Sequence, residues 1–239
     1  MKERGIRMNL NEFNQVIGDK VNNFFEGKKP EIIEIIGKYA IIEKLSLKNR
    51  FEDLVEVYGL ENDLKNWTYF PLEPFTNKNE LKKYLEIIEK SEDPYFLSIL
   101  DKKTKKVLGT FALMRIDVKN RVIEMGWVLY SPKLKRSRIA TEAQYLVMKY
   151  VFETLQYRRY EWKCDNLNEP SKKSALRLGF TKEGIFRQAQ VYKGRNRDTA
   201  WFSIIDKEWE SNKKRFEEWL REENFDENGN QIKSLSKIL

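Results

Sequence analysis

Four cations stand within six residues of the segment 131–143 (SPKLKRSRIATEA): Lys133, Lys135, Arg136 and Arg138. They precede a run in which Ala140, Ala143, Leu146, Val147, Tyr150, Val151 and Leu155 recur at helical spacing, so a basic loop opens an amphipathic helix. The first N–H groups of a helix lack intrahelical acceptors and point at whatever sits in front of them. The macrodipole adds about 0.3–1 kcal/mol for an anion at such an exposed end. Guanidinium groups there supply charge-assisted contacts suited to a pyrophosphate. The same residues also fit a solvated basic turn or a nonspecific contact with nucleic acid.

The 239-residue chain contains no histidine, which removes Ser-His-Asp and Cys-His catalysis, HExxH zinc sites and Cys2His2 fingers together. Acid–base chemistry must therefore use Asp, Glu, Lys, Tyr, a thiol, a hydroxyl or ordered water. There is no DxDxDG loop, and no metal is expected. With Cys164 as the sole cysteine no intrachain disulfide can form, and a reduced, cytoplasmic protein is expected. Cys164 lies in YEWKCD, which reads as a central strand, where an isolated cysteine is an apolar filler rather than a nucleophile. A formal charge of +8 favours anionic partners. Nucleic acid is not expected among them, because the basic loop carries no interleaved aromatics and the chain no RNP1 motif. No apolar run approaches the roughly 20 residues of a membrane span, and no signal-peptide core opens the chain.

The elements that must position this chemistry follow from periodicity. Residues 1–30 are polar around one apolar stretch at 16–25 and read as a peripheral helical extension. Residues 31–45, rich in Ile and interrupted by Gly37, read as a strand or hairpin. Ser46 is placed to cap a helix carrying Phe51, Leu54, Val55 and Tyr58, and 77–92 repeats the pattern through Leu81, Tyr84, Leu85 and Ile88. Strands at 95–100, 107–116 and 121–130 are joined by short polar turns, as in an antiparallel meander. After the 140–155 helix come a strand at 160–165 and a short helix at 170–178 stopped by Gly179. Two further strands follow at 181–192 and 198–205, and then a charged helix from Glu208 with a polar tail. The chain divides into the extension 1–30, one α/β (α+β) domain at 31–210, and a C-terminal helix and tail at 211–239.

The motifs resemble those of the GNAT superfamily of N-acetyltransferases, in its RimJ/RimL-like branch. Residues 133–138 resemble the Q/R-x-x-G-x-G/A pyrophosphate loop, with Arg136 and Arg138 where that family has glycines. ATEA at 140–143 is what the RimJ/RimL-like branch carries at its helix start, and VIEMGWVLYSP resembles the fourth GNAT strand. NEPSKKSALRLGF resembles motif B, EGIFRQAQVYKGRNRDTAWFSIIDKEW the C-terminal strands, and WTYFPLEPF the N-terminal lid of one subgroup. The resemblance implies a mixed, mostly antiparallel sheet flanked by helices and splayed at the fourth strand. It also implies acetyl-CoA as co-substrate, held by Val128, Leu129, Tyr130, Lys133, Lys135, Arg136, Ser137, Arg138, Ile139, Ala140, Thr141, Asn168 and Ser171.

The implied reaction is direct attack of a primary or α-amine, on a small molecule or a protein N-terminus, with no covalent enzyme intermediate. The tyrosine that many relatives use as general acid falls at Ala175, which leaves Ser171 to protonate the thiolate; Ser171 also fits a helix cap after Pro170. Glu124, inside the fourth strand, is the base through water, or else a strand glutamate on a solvated face. Backbone N–H groups near Leu129 and Tyr130 face the oxyanion. Arg195 and Arg197 either fix a turn through Asp198 or meet an acidic substrate or the second subunit of a homodimer. The replaced glycines and absent tyrosine also fit a catalytically silent scaffold that binds CoA.

Overall fold

Period-two apolar patterns and 3.6-residue stripes alternate along this chain, and the structure turns them into strands and helices in that order. The computed structural model describes residues 9–59 and 64–238. Its strands are β1 (Asn9–Leu10), β2 (Val16–Ile17), β3 (Glu34–Ile36), β4 (Ala40–Lys44), β5 (Tyr95–Asp101), β6 (Val107–Asp117), β7 (Val122–Tyr130), β8 (Arg159–Asp165), β9 (Thr181–Tyr192) and β10 (Arg195–Ile205). The α-helices are α1 (Phe51–Tyr58), α2 (Lys78–Glu89), α3 (Arg138–Lys149), α4 (Glu169–Leu178) and α5 (Asp206–Trp219). A π-helical turn at Tyr150–Thr154 extends α3.

Eight strands form one sheet in the order β3-β4-β5-β6-β7-β8-β10-β9, antiparallel except for β7 and β8. That parallel pair is short: Val122, Ile123, Glu124 and Met125 match Arg159, Tyr160, Glu161 and Trp162, and beyond them the strands part. A bulge explains the parting. Between the pairs Ala112–Gly126 and Thr110–Leu129, β7 carries one residue more than β6, and Trp127 takes φ 51°. Such an insertion bends the bulged strand out of the sheet plane. The splay expected at the fourth motif strand is therefore present in β7.

One face of the sheet, with Ile123, Met125, Tyr160, Trp162, Ala200 and Phe202, packs under α3 and α5. The other face packs Ile41, Leu100 and Ala112 against Leu54, Leu81 and Leu85 of α1 and α2. Beneath α3, the Glu142 carboxylate accepts the backbone N–H groups of Lys38, Tyr39 and Ala40 at 2.8, 2.6 and 2.6 Å. Gly37 makes room for it, since a side chain there would begin 2.7 Å from that carboxylate.

Three expectations are corrected. Residues 16–25 are not helical: β2 pairs with β1, Asn11 Oδ1 accepts the N–H groups of Phe13 and Gln15, and Asn14 takes φ 62°. Asparagine turn chemistry outweighs the apolar spacing there; residues 1–8 lie outside the described residues. Ser46 does not cap α1. Its hydroxyl donates to Glu89 Oε1 at 2.9 Å, and Arg50 precedes the helix without a side-chain cap. The tail is not wholly polar, because Leu235 and Ile238 are buried in the main core and Phe225 packs on the Trp219 ring at 4.9 Å.

Candidate active site

The loop after β7 is built on Leu134, which is fully buried beneath it. The N–H groups of Leu134 and Lys135 donate to the Ser131 carbonyl at 3.0 and 3.1 Å, and that of Ser137 to the Leu134 carbonyl at 3.2 Å. Arg136, standing where glycine was expected, takes φ 59°. The chain thus keeps a glycine-like backbone at an arginine, at a cost of about 1–2 kcal/mol for the left-handed conformation. Ser137 caps α3 by accepting the Ala140 N–H at 3.0 Å. The N–H groups of Arg136, Arg138 and Ile139 have no acceptor among the described residues.

The four cations do not act alike. Lys133 and Arg136 are exposed at the loop, while Lys135 Nζ donates to Asn66 Oδ1. Arg138 turns sideways, its guanidinium 3.6 Å from the Phe225 ring centroid and 4.5 Å from that of Tyr39. Sequence spacing placed it in front of the helix. In the structure its guanidinium lies over these two aromatic faces.

Motif B sits across the splay. Asn168 Oδ1 accepts the Ser171 N–H at 3.2 Å and so caps α4, which corrects the idea that Ser171 is the cap. Ser171 Oγ accepts the Trp162 Nε1 hydrogen at 3.0 Å, and its own hydrogen can donate, with the Cys164 sulfur within hydrogen-bond reach. Trp162 is the last residue of β8 paired with β7, so this bond holds Ser171 at the point where the strands part. On the facing side, the Ser131 N–H donates to Leu108 at 3.0 Å toward β6. Backbone groups alternate sides along a strand, so the Tyr130 N–H faces the splay and the Leu129 N–H faces β6. The Tyr130 hydroxyl accepts from Gln144 Nε2 at 2.8 Å, and burial pushes its pKa up to about 12. Thr141 Oγ1 accepts from Arg177 at 3.1 Å, while Val128 and Ile139 are half-buried along the two edges.

Glu124 is 5% exposed and faces away from α3. Its Oε2 lies 2.7 Å from Lys163 Nζ and 3.3 Å from Arg115 Nε. Its Oε1 has no partner among the described residues and lies 3.9 Å from where a side chain on Gly126 would begin. Burial raises the carboxyl above the usual range, and Lys163 and Arg115 pull it partly back. The thiol of Cys164 is likewise pushed up by burial, which keeps it protonated.

The segment 64–75 closes over the mouth of the splay. Phe70 packs on Trp127 at 5.3 Å, the Tyr69 hydroxyl donates to the Leu167 carbonyl at 3.0 Å, and Lys193 Nζ donates to the Trp67 carbonyl at 2.8 Å. Asp198 fixes the β9–β10 hairpin by accepting from the Gln188 N–H at 2.8 Å and Asn196 at 3.1 Å, whereas Arg197 Nε donates to Thr199. The arginine–Asp198 turn read from sequence is replaced by these amide contacts. Among the described residues no cluster of acidic or sulfur ligands is placed to hold a metal, and no helix is long and apolar enough to cross a membrane.

The residues present fit a CoA thioester: open backbone edges at the splay, free N–H groups at α3, exposed cations beside them, and buried Ser131 Oγ and Gln144 Oε1 without partners. Sequence reasoning missed Lys163 and Glu161. Their signal was the alternation of charge with aromatic residues in YEWKCD, which marks a central strand with one polar face.

Comparison with known proteins agrees with this geometry. The profile described as acetyltransferase (GNAT) domain matches residues 45–181. The uncharacterized N-acetyltransferase p20 of Bacillus licheniformis is 30% identical over 171 residues, covering 70% of this chain and 96% of that protein. The ribosomal-protein-serine acetyltransferase of Escherichia coli (strain K12) is 30% identical over 105 residues, covering 44% of this chain and 58% of that protein. A crystal structure of a GCN5-related N-acetyltransferase from Brucella melitensis superposes with a TM-score of 0.88 at 44% identity, covering 91% of this chain and 99% of that one. The splayed sheet, the capped basic loop and these relatives together make the chain a member of the GNAT acetyltransferase family, similar to its RimJ/RimL-like branch.

Proposed function

We propose that the protein transfers an acetyl group from acetyl-CoA to a primary or α-amine, on a small molecule or a protein N-terminus, in the cytoplasm. The observation that carries this reading is the parting of β7 from β8 just beyond Met125 and Trp162, with Ser171 held at the fork by Trp162. When bound, the thioester supplies an electrophilic carbonyl and a thiolate leaving group. The α3 start, Lys133 and Arg136 hold the phosphates, and Val128 and Tyr130 offer the open strand edge to the pantetheine arm. Tyr130 N–H is aimed to receive developing negative charge on the carbonyl oxygen. Glu124 Oε1 takes the ammonium proton, directly or through one water, and Ser171 gives its hydroxyl hydrogen to the departing sulfur.

Titrating the purified protein with acetyl-CoA in a calorimeter tests the reading, with 3′-dephospho-CoA alongside. Micromolar binding that weakens in a Lys133→Ala/Arg136→Ala variant is expected. No binding at millimolar ligand would instead favour a silent scaffold, a reading motivated by the arginines at the glycine positions. For Ser171→Ala, kcat is expected to fall about 100-fold, at the lower end of acid–base effects, with the KM for acetyl-CoA nearly unchanged. An unchanged kcat would remove Ser171 from the mechanism without disturbing the family.

A further inference from the structure

We propose that Lys163 is the positioning residue of this site: by binding Glu124 and Glu161 at once, it holds Glu124 as a carboxylate with one oxygen free for the acceptor amine. The inference rests on the proposed role of Glu124 as base.

The parallel register sets Glu124 of β7 directly beside Glu161 of β8, and both are buried, at 5% and 6% exposure. Like charges brought together out of water repel, and a cation placed between them offsets that repulsion. Lys163 follows Glu161 by two residues on the same strand face and meets that need. Its Nζ is 2.7 Å from Glu124 Oε2 and 3.0 Å from Glu161 Oε2, and its side chain is 7% exposed. The ammonium lies 3.7 Å from the centroid of the Trp201 ring, the residue paired with Lys163 across β10. Its position is therefore set by an aromatic wall on one side and two carboxylates on the other.

The remaining charges do not substitute for it. Arg115 of β6 reaches the same Glu124 oxygen at 3.3 Å, but its side chain is 59% exposed and screened by water. Arg159 of β8 serves Glu161 at 2.8 Å and also binds Glu183 of β9. The groups facing Glu124 are thus Arg115 from β6 with Glu161 and Lys163 from β8, while Trp201 of β10 brings no charge. Because Lys163 occupies Oε2, it also decides which oxygen stays open, and that is the one beside Gly126 where the strands part. A lysine kept only for stability has a weak rationale at this place, since a buried ion pair is often no better than well-packed apolar residues.

The test is the pH dependence of kcat at saturating acetyl-CoA, with one acceptor amine throughout so that its own ionisation moves no limb between variants. Wild type, Lys163→Met, Lys163→Arg, Glu161→Gln, the Lys163→Met/Glu161→Gln double variant and Glu124→Gln are compared, each checked for folding by circular dichroism. In Lys163→Met the acid limb is expected to rise by about one pH unit or more, which is a loss of about tenfold on the acid side and much less at the alkaline plateau. Lys163→Arg restores the limb. Glu161→Gln lowers it by removing the like charge, and the double variant returns toward wild type. A merely structural lysine would leave the acid limb in place, whatever its loss did to stability. If Glu124→Gln abolishes the limb while Lys163→Met leaves it unmoved, the role of Lys163 is overturned and that of Glu124 stands. A limb that Glu124→Gln leaves at its wild-type position overturns the base assignment itself, and the role of Lys163 with it. Should Lys163→Met fail to fold, Glu161→Gln decides alone, and the absence of a downward shift overturns the proposal.

Discussion

Glu124→Gln is expected to lower kcat by about a hundred- to a thousand-fold, with the KM for acetyl-CoA unchanged, because a positioned base contributes on that order. Glutamine keeps the shape and can still accept from Lys163, but it cannot take a proton from an ammonium. The wild-type profile carries a second signature. Burial raises the Glu124 carboxyl above its ordinary range, and only the deprotonated form is a base. Activity should therefore be full at alkaline pH and be lost, as pH falls, through a value higher than that of an exposed glutamate. In Glu124→Gln that limb should vanish along with the rate. Steady-state kinetics over a pH series reads both effects. A drop of less than about threefold would assign proton removal to bulk water and return Glu124 to a structural role.

Glu142→Ala should lower stability by about 3 kcal/mol, because it strips the acceptor from three backbone N–H groups at once. Those groups belong to Lys38 and Tyr39, in the turn that joins β3 to β4, and to Ala40, the first residue of β4, and the carboxylate reaches them from the second turn of α3. Part of the turn is open to water, which limits the loss to less than the sum of three orphaned donors. Glu142→Gln keeps an acceptor oxygen and should lose about half as much. Urea unfolding monitored by tryptophan fluorescence measures this as a lower midpoint with an unchanged slope. A loss below about 1 kcal/mol would mean that water replaces the carboxylate. The effect bears on the proposed function because the same helix start carries Ser137, Arg138 and Ile139, which are proposed to face the CoA phosphates. Loosening α3 from the hairpin should weaken acetyl-CoA binding even though Glu142 touches no ligand.

Both the loop at 133–138 and the charged strand β8 show where local reading stops. The basic run and the helix behind it were visible as charge followed by an apolar stripe, and the cap at Ser137 is a local contact. Which cations stay exposed at the loop was not visible. Arg138 is taken by Phe225, nearly ninety positions away, and Lys135 by Asn66, because the tail and the lid return to the loop in space. The tail itself was misread for the same reason, since Leu235 and Ile238 are too few to announce a core segment, yet the main core buries both.

The sequence by itself determined the class of structure and the place of the basic loop that opens α3. Apolar patterning announced β3 to β10 and α1 to α3, and the absence of histidine narrowed the chemistry to carboxylates, hydroxyls, amines, a lone thiol and water. These are properties of residues a few positions apart, so they are written in order along the chain. Only the tertiary structure decided that Glu124 lies beside Glu161 and under Lys163, that Trp162 holds Ser171, and that one extra residue at Trp127 opens the sheet. Each depends on the register of a strand against a partner distant in sequence, and a slip of one residue would turn every one of these side chains to the opposite face.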